Sequence, residues 1–224
     1  MHYQKSKKIL IYIFLFLIIG TLNNKNLNNI KMPNIEKITV EGLDDRNNKE
    51  LTNNLNFLRI NNLFFLDKIY ISKIISSNNL VEEYSIFKKY PSSLYIKIIK
   101  TKFLAQIKRN DHFLLLGSNG KFTKIKNIKS EVPFIFGDFD NKNFFNLLDA
   151  IDKTKFNYGE IKNLFFFKSG RWDIETNSGI LIKLPKNNIK KSLEIYLSIL
   201  NKGDHKKIKK IDLRQRNQII IDGK

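Results

Sequence analysis

The chain has 224 residues, 42% apolar and 12% aromatic with four prolines, so it can bury a sizeable core, and long disorder is excluded. It contains no cysteine, which rules out disulfide frameworks and thiolate metal sites. A formal net charge of +19 ordinarily points to nucleic acid, but no Arg-rich helix, zinc-finger spacing or aromatic RNA-binding strand accompanies it. Acidic residues are scattered among the lysines, and the charge reads as a bias toward Lys, Asn, Ile and Phe with a tolerance for anionic surfaces.

Residues Ile9 to Leu22 carry no charge and follow Lys5, Lys7 and Lys8. The basic head predicts a cytoplasmic N-terminus by the positive-inside rule. Fourteen residues span only about 21 Å against a hydrocarbon core near 30 Å. We read a retained signal anchor; a cleaved signal peptide and a buried helix are the alternatives, and no small-x-small cleavage pattern follows Gly20. Residues 23–34 read as a linker.

A strand is predicted from Ile35 to Val40. Asp45 is the expected N-cap of a helix bearing Leu51, Leu55 and Leu58, and a second helix starts at Asp67 with Ile71, Ile74 and Ile75 on one face. Two strands follow, Val81–Lys89 and Leu94–Lys100, joined through Tyr90-Pro91-Ser92-Ser93. The order is strand, helix, helix, strand, strand.

Beyond Thr101 the pattern changes to short strands and turns: strands at Leu104–Lys108 and Phe113–Leu116, then the phrases Gly117–Gly120 and Val132–Gly137, and further strands near Ile161–Phe167, Arg171–Glu175 and Gly179–Leu184. Asn177-Ser178-Gly179 is a hairpin turn. A helix over Asn141–Ile151 presents Phe144, Leu148 and Ile151. Another, Asn187–Leu200, presents Ile189, Leu193, Tyr196, Leu197 and Leu200 and stops at Gly203. Residues Ile211 to Ile221 form the closing strands. The fold class is α+β.

Candidate chemistry is sparse. His2, His112 and His205 lie far apart with no acidic ligand set, so no metal site is expected. The pairs Asp44/Asp45 and Asp138/Asp140 lie where Asp caps helices or turns. Gly117-Ser118-Asn119-Gly120-Lys121 lacks phosphate-loop spacing and reads as a hairpin turn. No nucleophile elbow appears, and no cofactor is implied.

Several phrases together resemble the FtsQ/DivIB family of bacterial division proteins. They are Ile38-Thr39-Val40-Glu41-Gly42; Val81 through Pro91 to Leu94; Gly120, Pro133 and Gly137; Arg171-Trp172-Asp173; Gly179; Leu184-Pro185; and Asp212-Leu213-Arg214. The resemblance covers nearly the whole chain and is strongest to alphaproteobacterial members. It implies a cytoplasmic head (1–8), an anchor (9–22), a linker (23–34), a β-α-α-β-β POTRA domain (35–103) and a mixed β domain with helices (104–224). It further implies a non-enzymatic scaffold of the inner membrane and septum that binds FtsB-like and FtsL-like single-pass proteins in the periplasm. The grip would come from the last strands: Ile219, Ile220 and Ile221 as an open sheet edge, Arg214, Gln215 and Arg216 beside it, and Arg171 as a further charged contact.

Bland readings stand beside these. Three consecutive isoleucines also suit a strand buried on both faces, Trp172 also suits a core, and Asp212 and Arg214 also suit a pair between neighbouring strands. A POTRA-containing envelope-biogenesis protein that binds extended polypeptide or lipid is the alternative function.

Overall fold

The computed structural model describes residues 3–22, 32–125, 131–201, 208–215 and 218–223. Helix α1 runs Tyr3–Leu22, and its side chains from Ile9 to Leu17 are exposed. Among the described residues no helix is long and apolar enough to cross a membrane.

The remaining elements are β1 (Lys37–Glu41), α2 (Asp45–Asn54), α3 (Lys68–Ser77), β2 (Val81–Lys89), β3 (Ser93–Lys100), β4 (Phe103–Arg109), β5 (His112–Gly117), β6 (Phe122–Lys124), β7 (Phe134–Phe136), α4 (Asn141–Asp152), β8 (Ile161–Phe166), β9 (Trp172–Thr176), β10 (Leu181–Lys183), α5 (Ile189–Leu200), β11 (Ile208–Asp212) and β12 (Ile220–Gly223). The chain divides into two units, one of residues 1–72 and 85–97, the other of residues 73–84 and 98–224.

In the first unit, alternation buries Ile38 and Val40 on β1, which pairs in parallel with β3 from Lys37↔Ser93 to Glu41↔Lys97. Leu51, Leu55, Leu58, Leu63, Ile71, Leu94 and Ile96 are buried in the same unit. Strand, helix, helix, strand, strand is the order found. The cap of α2 is Asp44, not Asp45: the Asn47 N–H donates to Asp44 Oδ1 at 3.1 Å, and Asp45 is the first helical residue. Asp44 has extended backbone, the conformation in which a side chain reaches the third amide ahead. Leu58 lies in a separate 3₁₀ turn, Asn56–Ile60. At α3 the expected start holds, with the Ile69 N–H donating to Asp67 Oδ1 at 2.8 Å.

The second unit holds a nine-stranded sheet in the order β12-β11-β10-β9-β8-β7-β4-β5-β6. Its core row crosses the strands as Ile135, Leu164, Ile174, Ile182 and Ile211, each facing the next, and all are buried. Helices α4 and α5 contribute Phe144, Leu147, Ile151, Leu193 and Tyr196 to the same cluster. Leu148, expected in that stripe, is only partly buried, because Leu147 takes the inward position beside Phe144 and Ile151. In α5, likewise, Ile189, Leu197 and Leu200 sit at the margin of the core. That helix begins at Ile189, after Asn188 adopts a left-handed conformation with φ 62°. Gly203, its expected stop, lies outside the described residues, and the observed C-cap is Asn201.

Both hairpin readings hold. Gly117–Lys121 closes β5 onto β6, with Gly120 at φ +74°, and Gly179 turns β9 into β10 at φ +86°. The first turn is tied down by Glu82, whose Oε2 accepts from Thr101 Oγ1 at 2.8 Å and from Ser118 Oγ at 2.7 Å. Asp140 caps α4, accepting from the Asn143 N–H at 2.7 Å.

Candidate functional site

Among the described residues the sheet ends at β12, which pairs antiparallel with β11 alone: Asp212 faces Ile220, Ile211 faces Ile221, and Lys210 faces Asp222. A strand with one neighbour leaves its other row of N–H and C=O groups unpaired in the sheet. Ile219, Ile220 and Ile221 are 46%, 41% and 50% exposed, so the reading of a strand buried on both faces is overturned. Ile221 continues the core row beyond Ile211, yet half its surface meets solvent. The apolar layer therefore runs out to the margin and stops unfinished there. Lys210 Nζ holds Asp222 Oδ2 at 2.7 Å across the two strands, and that bond pulls the Asp222 carboxyl below its usual range.

The other face of these strands carries charge. Asp173 on β9 faces Lys183 on β10, Lys183 faces Asp212 on β11, and Asp212 faces Ile220. Negative, positive and negative side chains thus lead in a row to the open edge. Arg214 does not pair between neighbouring strands. It turns back on its own segment, its Nε donating to Asp212 Oδ1 at 2.8 Å and Oδ2 at 3.0 Å, while its backbone N–H donates to Oδ1 at 3.1 Å. The guanidinium is thereby fixed in direction and remains partly exposed.

Arg171 stacks on Phe167, its guanidinium 4.3 Å from the ring centroid, and its Nε lies 3.9 Å from Asp173 Oδ1. That separation is too long for a hydrogen bond. Both atoms are buried without a hydrogen-bond partner among the described residues. Gln215 is exposed, and Arg216 lies outside the described residues. Trp172 is buried against Phe139, Phe144 and Phe166, as the core reading of its ring expected. Lys186, Asn188, Lys191, Leu213 and Gln215 line a shallow depression beside Arg214.

The two aspartates of the charged row titrate in opposite directions. Arg214, hydrogen-bonded to Asp212, holds that carboxyl below its usual range. Burial pushes Asp173 up, only partly offset by Arg171, Lys183 and Arg214. Asp212 therefore contributes stability that is present above an unfolded pKa near 3.9 and is lost as pH falls through its lower folded value. For Asp173 the contribution is largest below about 3.9 and is lost as pH rises through its raised folded value. In urea unfolding across a pH series, Asp173→Asn is expected to gain stability relative to the parent as pH rises from about 4 toward neutrality. Asp212→Asn is expected to lose stability near neutrality, the deficit shrinking in acid. Parallel pH profiles for the two variants would contradict these assignments.

Lys183 was not singled out from the sequence, although the signal was present. A turn at 177–179 places Glu175 opposite Leu181 and hence Asp173 opposite Lys183. No three metal-binding side chains come together among the described residues.

Residues 105–214, which run from within β4 to the second residue after β11, match the family model described as Cell division protein FtsQ/DivIB, C-terminal. The chain is 25% identical to Cell division protein FtsQ of Rickettsia bellii over 196 residues, covering 84% of this chain and 72% of that protein. It is 27% identical to Cell division protein DivIB of Clostridium botulinum over 234 residues, covering 92% and 86%. The solved major extracytoplasmic domain of DivIB from Geobacillus stearothermophilus aligns with 44% of this chain and 90% of its own, at 16% identity and a TM-score of 0.34. Residues 105–214 thus carry the C-terminal domain of the FtsQ/DivIB family, and the similarity to the cell division proteins FtsQ and DivIB extends well beyond them.

Proposed function

We propose that the chain is a non-enzymatic scaffold that captures an extended segment of an FtsB-like or FtsL-like single-pass protein by adding it as a tenth strand outside β12, joining early and late division proteins at the septum. The observation that carries this reading is the half-paired β12, where the apolar layer stops at an exposed Ile221. Backbone pairing supplies affinity, and the side chains on alternate positions of the incoming strand complete the apolar layer on one face. Beyond that layer Arg214, held in place by Asp212, and Lys186 and Lys191, which line a depression with it, favour a partner bearing acidic residues and speed its approach.

In this reading α1 anchors the chain in the inner membrane with its basic end in the cytoplasm, residues 35–103 act as a POTRA domain, and the soluble part lies in the periplasm. The uncharged run Ile9–Leu22 and the exposed side chains of Ile9–Leu17 support the anchor. A fluorescent fusion is expected at the division septum, and the protein is expected to resist alkaline extraction from membranes. It should also co-purify with FtsB-like and FtsL-like proteins. Diffuse envelope fluorescence with no recovery of those partners would refute the reading.

A further inference from the structure

The segment Asn56–Tyr70 of the first unit buries its leucines and displays its aromatics. Leu58, Leu63 and Leu66 point inward, whereas Ile60, Phe65 and Ile69 are 78%, 85% and 81% exposed. Phe64 and Tyr90 meet at a tilt, 4.9 Å between centroids, and Phe57 meets Tyr70 edge-on at 5.5 Å, all four being exposed. The presentation is built: Asn62 Oδ1 accepts from the Phe64 N–H at 3.1 Å and the Phe65 N–H at 3.2 Å, locking the turn that throws both rings outward. A patch of this kind is a docking surface rather than chance exposure.

We infer that this patch is a membrane-contact surface that seats the first unit on an anionic bilayer, and the inference rests on the reading of α1 as an anchor. Two observations select the bilayer as occupant. Only residues 23–31 separate α1 from Met32, a tether that spans at most roughly 30–36 Å when fully extended. The segments bearing the patch, 57–70 and 87–90, carry Arg59, Lys68, Lys88 and Lys89 against a single carboxylate, Asp67, which already accepts the Ile69 N–H. Phenylalanine and tyrosine framed by lysine and arginine is the composition that partitions into the boundary between headgroups and acyl chains.

The absence of cysteine allows a single label to be placed cleanly. Full-length Phe65→Cys carrying an environment-sensitive fluorophore is reconstituted into vesicles of phosphatidylcholine alone or mixed with phosphatidylglycerol, with Glu50→Cys on α2 as the comparator. Position 65 is so exposed that the label does not disturb packing. In anionic vesicles, lipid-borne nitroxides should quench the label at 65 severalfold more than that at 50, at a depth of about 5–10 Å. Aqueous iodide should quench it less, and high salt should narrow the difference. Equal iodide access at both positions, with the protein still resistant to alkaline extraction, would overturn the membrane contact alone and turn the patch toward a protein partner. Release by alkali would overturn the anchor and this inference together.

Discussion

Proline at Ile221 or Ile220 separates the two sides of β12: one variant is expected to lose partner capture by about 10- to 100-fold with the fold intact, the other to loosen β12 from β11. Consecutive residues of an antiparallel strand send their N–H and C=O groups to opposite in-plane sides. Within this dipeptide one residue therefore addresses β11 and the other addresses the open margin. Proline removes the donor at its position and holds φ near −65°. On the open side this deletes one bond of the docked strand and strands its carbonyl partner, a loss of about 1–3 kcal/mol, which is roughly ten- to hundredfold in Kd. On the β11 side it weakens a pairing already interrupted by a bulge between Ile208 and Lys210. Titration of a periplasmic partner segment against both variants, with circular dichroism as the check on folding, distinguishes them. Unchanged affinity in both would rule out strand addition at β12.

Trp172→Ala is expected to destabilise the protein by about 3–5 kcal/mol, the range for removing a large buried aromatic. The ring is 2% exposed and lies 4.7 Å from Phe166, 5.8 Å from Phe139 and 6.4 Å from Phe144, centroid to centroid. It joins β9 and β8 to α4, so the void left by alanine opens between the sheet and a helix. Against a typical stability of about 5–15 kcal/mol, such a loss leaves a marginal fold. Urea unfolding followed at 222 nm measures it, and Trp172→Phe should retain part of the difference. A loss below about 1 kcal/mol would place the ring outside the core. Because Asp173 follows this residue on β9, the charged row rests on a side chain buried in the core.

Local signals carried most of the elements. Alternation placed β1 to β5, the Asn177-Ser178-Gly179 turn placed the β9–β10 hairpin, and Asp140 and Asp67 marked helix starts. The misses share a cause: they depend on neighbours far along the chain. The α2 cap is the exception, because the adjacent Asp44 and Asp45 offer identical carboxylates and the local backbone decides which one caps. Ile219-Ile220-Ile221 fits a central or a terminal strand equally well. Its place was decided by the parallel pairing of β10 with β11, which brackets α5 and has no local signature. A buried Asp173 is likewise illegible to any rule that sends carboxylates to the surface. The Phe64-Phe65 pair misleads in the opposite direction, since apolar residues there face water.

The half-paired β12 also bears on how much of this protein a cell can safely hold. Backbone donors and acceptors are the same in every chain, and only Asp222 supplies a charge within β12 to discourage unwanted company. Two copies can meet margin to margin about a twofold axis, satisfying the same groups that a partner would. Surplus copies are therefore prone to self-association, and under the proposed strand addition a matched dosage of the donor would keep that margin covered.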